Sequence, residues 1–133
     1  MKLITRDTDY AVRAIVFIAR KRNEIISVSQ LVKALRISKP FLRKILQILN
    51  KERLLRSYRG QGGGFMLARP INRISLAELI EIFQGKIELN QCIFKKRFCP
   101  NIKTCKLKKR LDSIQKYVIS ELKNITLASL LKK

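Results

Sequence analysis

Residues 27–50 read SVSQLVKALRISKPFLRKILQILN, and this stretch decides the fold. Ser27 with Gln30 three positions on is a capping box, in which hydroxyl and amide satisfy free backbone donors and open a helix. That helix is short, about Val28 to Leu35, and Arg36-Ile37-Ser38 breaks it. Ser38 then caps a second helix, with Pro40 tolerated in the first turn because its missing N–H had no partner there. In the second helix Leu42, Ile45, Leu46 and Leu49 fall at i, i+3, i+4 and i+7, a single stripe facing a core. Lys39, Pro40, Arg43, Lys44 and Gln47 fall on the other side. A short helix, a three-residue turn and a longer helix with a basic outer face predict a helix-turn-helix.

The flanking segments extend this reading. Upstream, Asp7 to Arg20 carries a broad apolar face of Ala11, Val12, Ala14, Ile15, Ile18 and Ala19, the mark of a helix. Tyr10 and Phe17 read as packing residues. Downstream, Leu54 to Arg59 and Phe65 to Ala68 read as two short strands joined by GQGGG, Gly60 to Gly64, a tip able to adopt positive φ and approach another surface closely. The order predicts a winged helix. The glycine loop lacks the Gly-Lys-Ser/Thr ending of a P-loop and does not run from strand into helix, which argues against nucleotide binding. Ser75 and Glu78 form another capping box, opening a helix to about Phe83. Leu107, Leu111, Ile114, Val118 and Leu122 then predict a long amphipathic helix with one narrow apolar stripe, which a second copy of the chain would cover. The fold class is thus mainly α with a small β-hairpin. The expected parts are a winged helix-turn-helix over 1–84, a cysteine-rich loop over 85–106 and a dimerisation helix with its tail over 107–133.

Charge points to the partner. The chain of 133 residues has thirty Lys and Arg against nine Asp and Glu, net +21. A fold gains nothing from such self-repulsion, whereas charge of one sign steers and holds phosphates. Ten basic residues and one acidic residue lie between 36 and 73, twelve and two between 92 and 133, and one and three between 74 and 91. Double-stranded DNA is the leading partner, ahead of an anionic membrane. Lys39, Arg43, Lys44 and Gln47 lie on the helix that enters the major groove, where Arg and Lys read guanine and Gln pairs with adenine. Arg59, with Arg56 behind it and Gly60, Gln61 and Gly62 at the tip, suits a narrow, electronegative minor groove. Arg69 is a further candidate phosphate contact. Apolar runs fall short of the roughly 18 residues a membrane span needs, and the charged N-terminus is unlike a signal peptide, so a cytoplasmic protein is expected.

All three cysteines, Cys92, Cys99 and Cys105, fall within QCIFKKRFCPNIKTCKLKKR, residues 91–110, and the chain has no histidine. An odd count argues for metal or redox chemistry over a structural disulfide. Their spacing is wider than the two to four residues usual for structural zinc and lets a loop wrap a larger object, of which an iron–sulfur cluster is one. The surrounding Lys and Arg favour thiolates and offset an anionic cluster. Catalysis is disfavoured, since there is no histidine base and no Cys-x-x-Cys.

The opening MKLITRDTDYAVRA, the wing YRGQGGGF, the cysteine triad and the tail NITLASL (Asn124 to Leu130) together resemble the cluster-binding winged-helix regulators that include IscR, NsrR and RirA. The resemblance covers nearly the whole chain. It implies a homodimer crossed by the long C-terminal helices, most simply a repressor, with two winged helices on a palindromic operator. By position it assigns Lys39, Pro40, Arg43 and Lys44 to the recognition helix, Arg59 to the minor groove and the three cysteines to the cluster. Two departures stand out. The first cysteine gap is six residues where the family more often has five. The histidine that IscR-like members place three residues after the last cysteine is here Lys108, which cannot ligate while protonated. NsrR-like members use an aspartate of the other subunit, and Asp9, in Thr8-Asp9-Tyr10-Ala11, matches it, with Asp7 the competitor about 200° away around the helix. The ligand pattern is thus closest to NsrR and favours a 4Fe–4S over a 2Fe–2S cluster, with nitric oxide, redox state or iron–sulfur supply as the signal. The competing expectation is a regulator without a cluster, switched by thiol oxidation or a partner protein.

Overall fold

The computed structural model describes residues 2–89 and 105–131. Helix α1 spans Arg6–Arg20 and is capped by Thr5, whose hydroxyl accepts from the Thr8 N–H at 3.5 Å. Helix α2 spans Val28–Leu35 and opens on the expected capping box: Ser27 accepts from the Gln30 N–H at 3.1 Å, and Gln30 Oε1 accepts from the Ser27 N–H at 2.9 Å. It ends at Arg36, which takes the left-handed conformation (φ 56°, ψ 39°) and donates its N–H to the Val32 carbonyl. That residue turns the chain into helix α3, Lys39–Lys51. Ser38 stands at the N-cap of α3 but its side chain makes no capping bond, unlike the expectation. Pro40 removes one of the two N–H groups that such a cap would serve.

The apolar stripes meet as the periodicity requires. Ala11, Ala14, Ile15 and Ile18 of α1, Leu31 of α2, and Leu42, Ile45, Leu46 and Leu49 of α3 form one buried cluster. Tyr10 and Phe17 pack against it as partly buried neighbours. Strands β1 (Leu55–Tyr58) and β2 (Gly64–Leu67) pair antiparallel in the register Leu55↔Leu67 to Tyr58↔Gly64, each displaced by about a residue from the expected ends. Ile26, just before α2, adds a third rung on the other side of β2, exchanging bonds of 2.9 and 2.8 Å with Phe65. The hairpin is therefore stitched to the start of the helix-turn-helix, which defines its angle to α3.

A short 3-10 turn, Ile71–Arg73, leads to α4, Leu76–Gln84. Ser75 accepts from the Glu78 N–H at 3.2 Å, but the Glu78 carboxylate does not return to complete a box; it takes both bonds from the Arg69 guanidinium. A charged partner nine positions away outcompetes the local amide, because charge-assisted bonds are about twice as strong as neutral ones. Helix α5, Lys106–Asn124, packs its C-terminal end on α4: Leu76, Ala77, Ile80, Ile87 and Leu122 form a second buried cluster. The tail then turns back into the winged helix. Leu76 N–H reaches the Ile125 carbonyl and Leu127 N–H the Ile74 carbonyl, both at 2.8 Å, and Leu127 is buried in the first cluster. Among the described residues nothing covers the other end of α5 in this way: Leu107, Ile114 and Tyr117 are exposed, Ile114 at 54% and Tyr117 at 67%.

Candidate functional site

Burying the α3 stripe leaves Lys39, Pro40, Arg43, Lys44 and Gln47 exposed on the opposite face, where they line one shallow concavity. Among the described residues, no ion pair engages Lys39, Arg43 or Lys44, so their charge is directed outward. The wing presents Arg56 and Arg59 in the same uncompensated state. At its tip the Gly63 N–H closes on the Gly60 carbonyl at 3.0 Å, and Gly60 and Gly62 hold φ of 88° and 79°. Only residues without a Cβ visit that region cheaply, so the glycines set the turn and leave Arg59 and Gln61 exposed on it. Arg69 pairs its guanidinium with Glu78, and among the described residues its buried Nε has no hydrogen-bond partner.

The thiol region is seen in part. Cys92 and Cys99 lie outside the described residues. Cys105 is half-buried at the N-cap of α5, with Sγ accepting from the Lys108 N–H at 3.4 Å. Lys108 directs its ammonium to Asp112 at 2.7 Å, so the side chain at the histidine position is engaged elsewhere. Asp9 lies in the first turn of α1, 46% exposed, and bonds Arg13 Nε at 2.9 Å; Asp7 shares that turn. Among the described residues there is no cluster of three metal-ligating side chains, and two of the three cysteines fall outside them.

One constellation was not anticipated from the sequence. Gln84, the last residue of α4, binds the start of α1 three times: Oε1 accepts from the Thr5 N–H (2.9 Å) and the Thr8 hydroxyl (2.7 Å), and Nε2 donates to the Leu3 carbonyl (3.2 Å). Thr8 is fully buried by this arrangement. Between the two threonines, Arg6 lies over the Phe41 ring of α3, 4.5 Å from its centre. No local pattern signals a glutamine and a threonine 76 positions apart.

With the fold and these surfaces in place, the comparisons with known proteins decide the family. The family model for Rrf2, described as an iron-dependent transcriptional regulator, matches residues 4–133. The chain belongs to the Rrf2 family. It is similar to protein aau3 of Rhizobium meliloti (strain 1021), 28% identical over 130 residues that cover 97% of this chain and 84% of that protein. Among solved structures it superposes on CymR (YrzC), the global cysteine regulator of B. subtilis, with a TM-score of 0.81 at 21% identity, covering 98% of this chain and 97% of that one. T. potens IscR gives a TM-score of 0.74 at 23% identity, covering 98% and 86%. The winged-helix architecture is thus that of this Rrf2 regulator, which is a DNA-binding transcriptional regulator and not an enzyme. Among its described residues, no helix is long and apolar enough to cross a membrane.

Proposed function

We propose that this Rrf2 protein works in the cytoplasm as a homodimeric repressor whose DNA affinity follows the state of an iron–sulfur cluster. The observation that carries the DNA half is the outward basic face of α3, which no ion pair engages among the described residues, beside the glycine-tipped wing. Lys39, Pro40, Arg43, Lys44 and Gln47 enter the major groove of a palindromic operator half-site. Arg56, Arg59, Gly60, Gln61 and Gly62 follow the adjacent minor groove. The exposed stripe around Leu107, Ile114 and Tyr117 packs on its copy in the second protomer, setting the half-site spacing.

For the cluster, the donor chemistry fits. Cys105 is a half-buried free thiol at the N-cap of α5, and Lys108, tied to Asp112, leaves the fourth position to another group. Cys92, Cys99 and Cys105 would hold the cluster with Asp9 of the second protomer, an NsrR-like ligand set that favours 4Fe–4S over 2Fe–2S. A carboxylate is a harder and weaker ligand for cluster iron than thiolate, so the Asp9 corner is the one open to nitric oxide, oxygen or iron loss. Arg13 offers Asp9 an alternative partner when it is not ligating.

Native mass spectrometry of anaerobically purified dimer tests this, with cluster mass and stoichiometry read together. A dimer carrying two clusters, altered in Asp9→Ala, is the expected result. Protein without iron, sulfide or visible absorbance would overturn the cluster and leave a thiol-oxidation or partner-controlled regulator. For the DNA half, Arg43→Ala should weaken binding to an operator selected from a randomised duplex pool by about 1–3 kcal/mol. Unchanged binding would remove α3 from the interface.

A further inference from the structure

Phe41 is 42% exposed in the first turn of α3, beside Pro40 and outside the buried stripe. Helix-turn-helix proteins present base-contacting residues from this end of the recognition helix, so its angle matters more than that of the other end. Two features leave it without a lock of its own. Ser38 makes no side-chain cap bond, and Pro40 gives no N–H. What holds it instead is Arg6, whose guanidinium lies 4.5 Å from the Phe41 ring centre. Arg6 is not a loose terminal residue. It follows the N-cap Thr5 and precedes the buried Thr8, both bonded to Gln84 Oε1. Arg6 lies close in sequence to Asp7 and Asp9, yet among the described residues it lies on the aromatic face and forms no ion pair with a carboxylate.

We propose that Arg6 and Phe41 form a positioning pair that seats the DNA-reading end of α3, and that Gln84 fixes that seat to the end of α4. The inference rests on the reading of α3 as the recognition helix. It goes further by assigning specificity to residues that need not touch a base. Gln84 is also the residue before Gly85, where the chain leaves α4 toward the cysteine-rich segment, and on the far side of Ile87 the Leu89 N–H is held by Gln115 of α5 at 2.9 Å. The clamp therefore links the root of that segment, through the first turn of α1, to α3. A displacement of Gln84 loosens the Thr5–Thr8 turn and with it the cation over Phe41.

The test is a double-mutant cycle on the full-length dimer, with Arg6→Gln, Phe41→Leu and the double variant. Affinity is measured for a duplex selected by the wild-type protein from a randomised pool and for random-sequence duplex of equal length. A cation–π contact at an exposed site corresponds to about a two- to fivefold change per protomer. Each single variant should lose that much preference for the selected duplex while keeping its affinity for random DNA, and the double variant should lose no more than either. Arg6→Lys, which keeps the cation, should retain most of the preference. Gln84→Leu should match Arg6→Gln and add nothing to it; Gln84→Glu, which keeps the acceptor for Thr5 and Thr8, should lie between Gln84→Leu and wild type. Additive losses in the cycle would overturn the pair. So would an Arg6→Gln loss shared equally by both duplexes with a reduced salt dependence, because Arg6 would then be a phosphate contact. Full preference in a Gln84→Leu dimer of native helical content would overturn the clamp. Arg43→Ala, run alongside, separates the levels: if it binds normally the recognition-helix reading itself fails, whereas its loss together with an additive cycle removes only the positioning pair.

Discussion

Gly64→Ala should damage the protein well beyond what a wing glycine ordinarily costs. Gly64 opens β2 opposite Tyr58, at φ 157°, and a Cβ there would collide with the Ile26 carbonyl and the Ser27 nitrogen, both backbone. Neither atom can swing aside as a side chain would. Relief requires moving the Ile26 rung, whose two bonds to Phe65 measure 2.9 and 2.8 Å. Backbone strain in a glycine-only region costs about 1–3 kcal/mol, and two lost bonds about 0.5–1.5 kcal/mol each. The reduced freedom of the unfolded alanine chain offsets about 0.4–1 kcal/mol. Together these terms give a net loss of about 1–5.5 kcal/mol, centred on about 3 kcal/mol. Gly62 is the internal control, because its φ is 79° but nothing lies within 4 Å of an added Cβ. Gly62→Ala carries the left-handed penalty of about 1–2 kcal/mol less the same offset, so about 1 kcal/mol. Urea denaturation of both variants measures the gap through the midpoint at constant slope. Equal losses would refute the argument that close approach of the wing to Ile26 is what requires glycine at 64.

The other predictions follow from burial and exposure. Leu127→Ala should cost about 2–5 kcal/mol in the same denaturation assay, because the side chain is buried in the winged-helix cluster despite lying near the C-terminus. Ile114→Glu with Tyr117→Glu should yield a monomer of unchanged helical content by analytical ultracentrifugation and circular dichroism, since both side chains are exposed within one protomer; a stable dimer would remove the stripe from the interface. Arg36→Gly should raise stability by about 0.5–1 kcal/mol in thermal unfolding, because Arg36 holds a left-handed conformation (φ 56°) that a Cβ disfavours.

How much of this was readable in advance depended on the range of the interaction. The four-residue alternation of Leu42, Ile45, Leu46 and Leu49 placed α3 and its buried face correctly, because side chains three and four apart share a helix face whatever the rest of the chain does. The Ser27–Gln30 box marked the start of α2 for the same reason. The second box, Ser75 with Glu78, was half right: the serine caps, but Arg69 claims the carboxylate. Arg36 gave no warning of its left-handed turn, since the usual signal there is glycine or asparagine.

By itself the sequence determined the helix-turn-helix, the glycine wing, the large positive charge and the three clustered thiols. Each is written in residues adjacent or one helical turn apart, or in composition. Only the tertiary structure decided that Ile26 stitches the wing to α2, that the tail at Leu127 completes the first cluster, and that Gln84 grips Thr5 and Thr8 beneath Arg6 and Phe41. Those contacts join residues tens of positions apart, and each depends on two elements already packed. Their hydrogen bonds and ring contacts carry no periodicity along the chain, so they come into being only when the buried stripes bring the elements together.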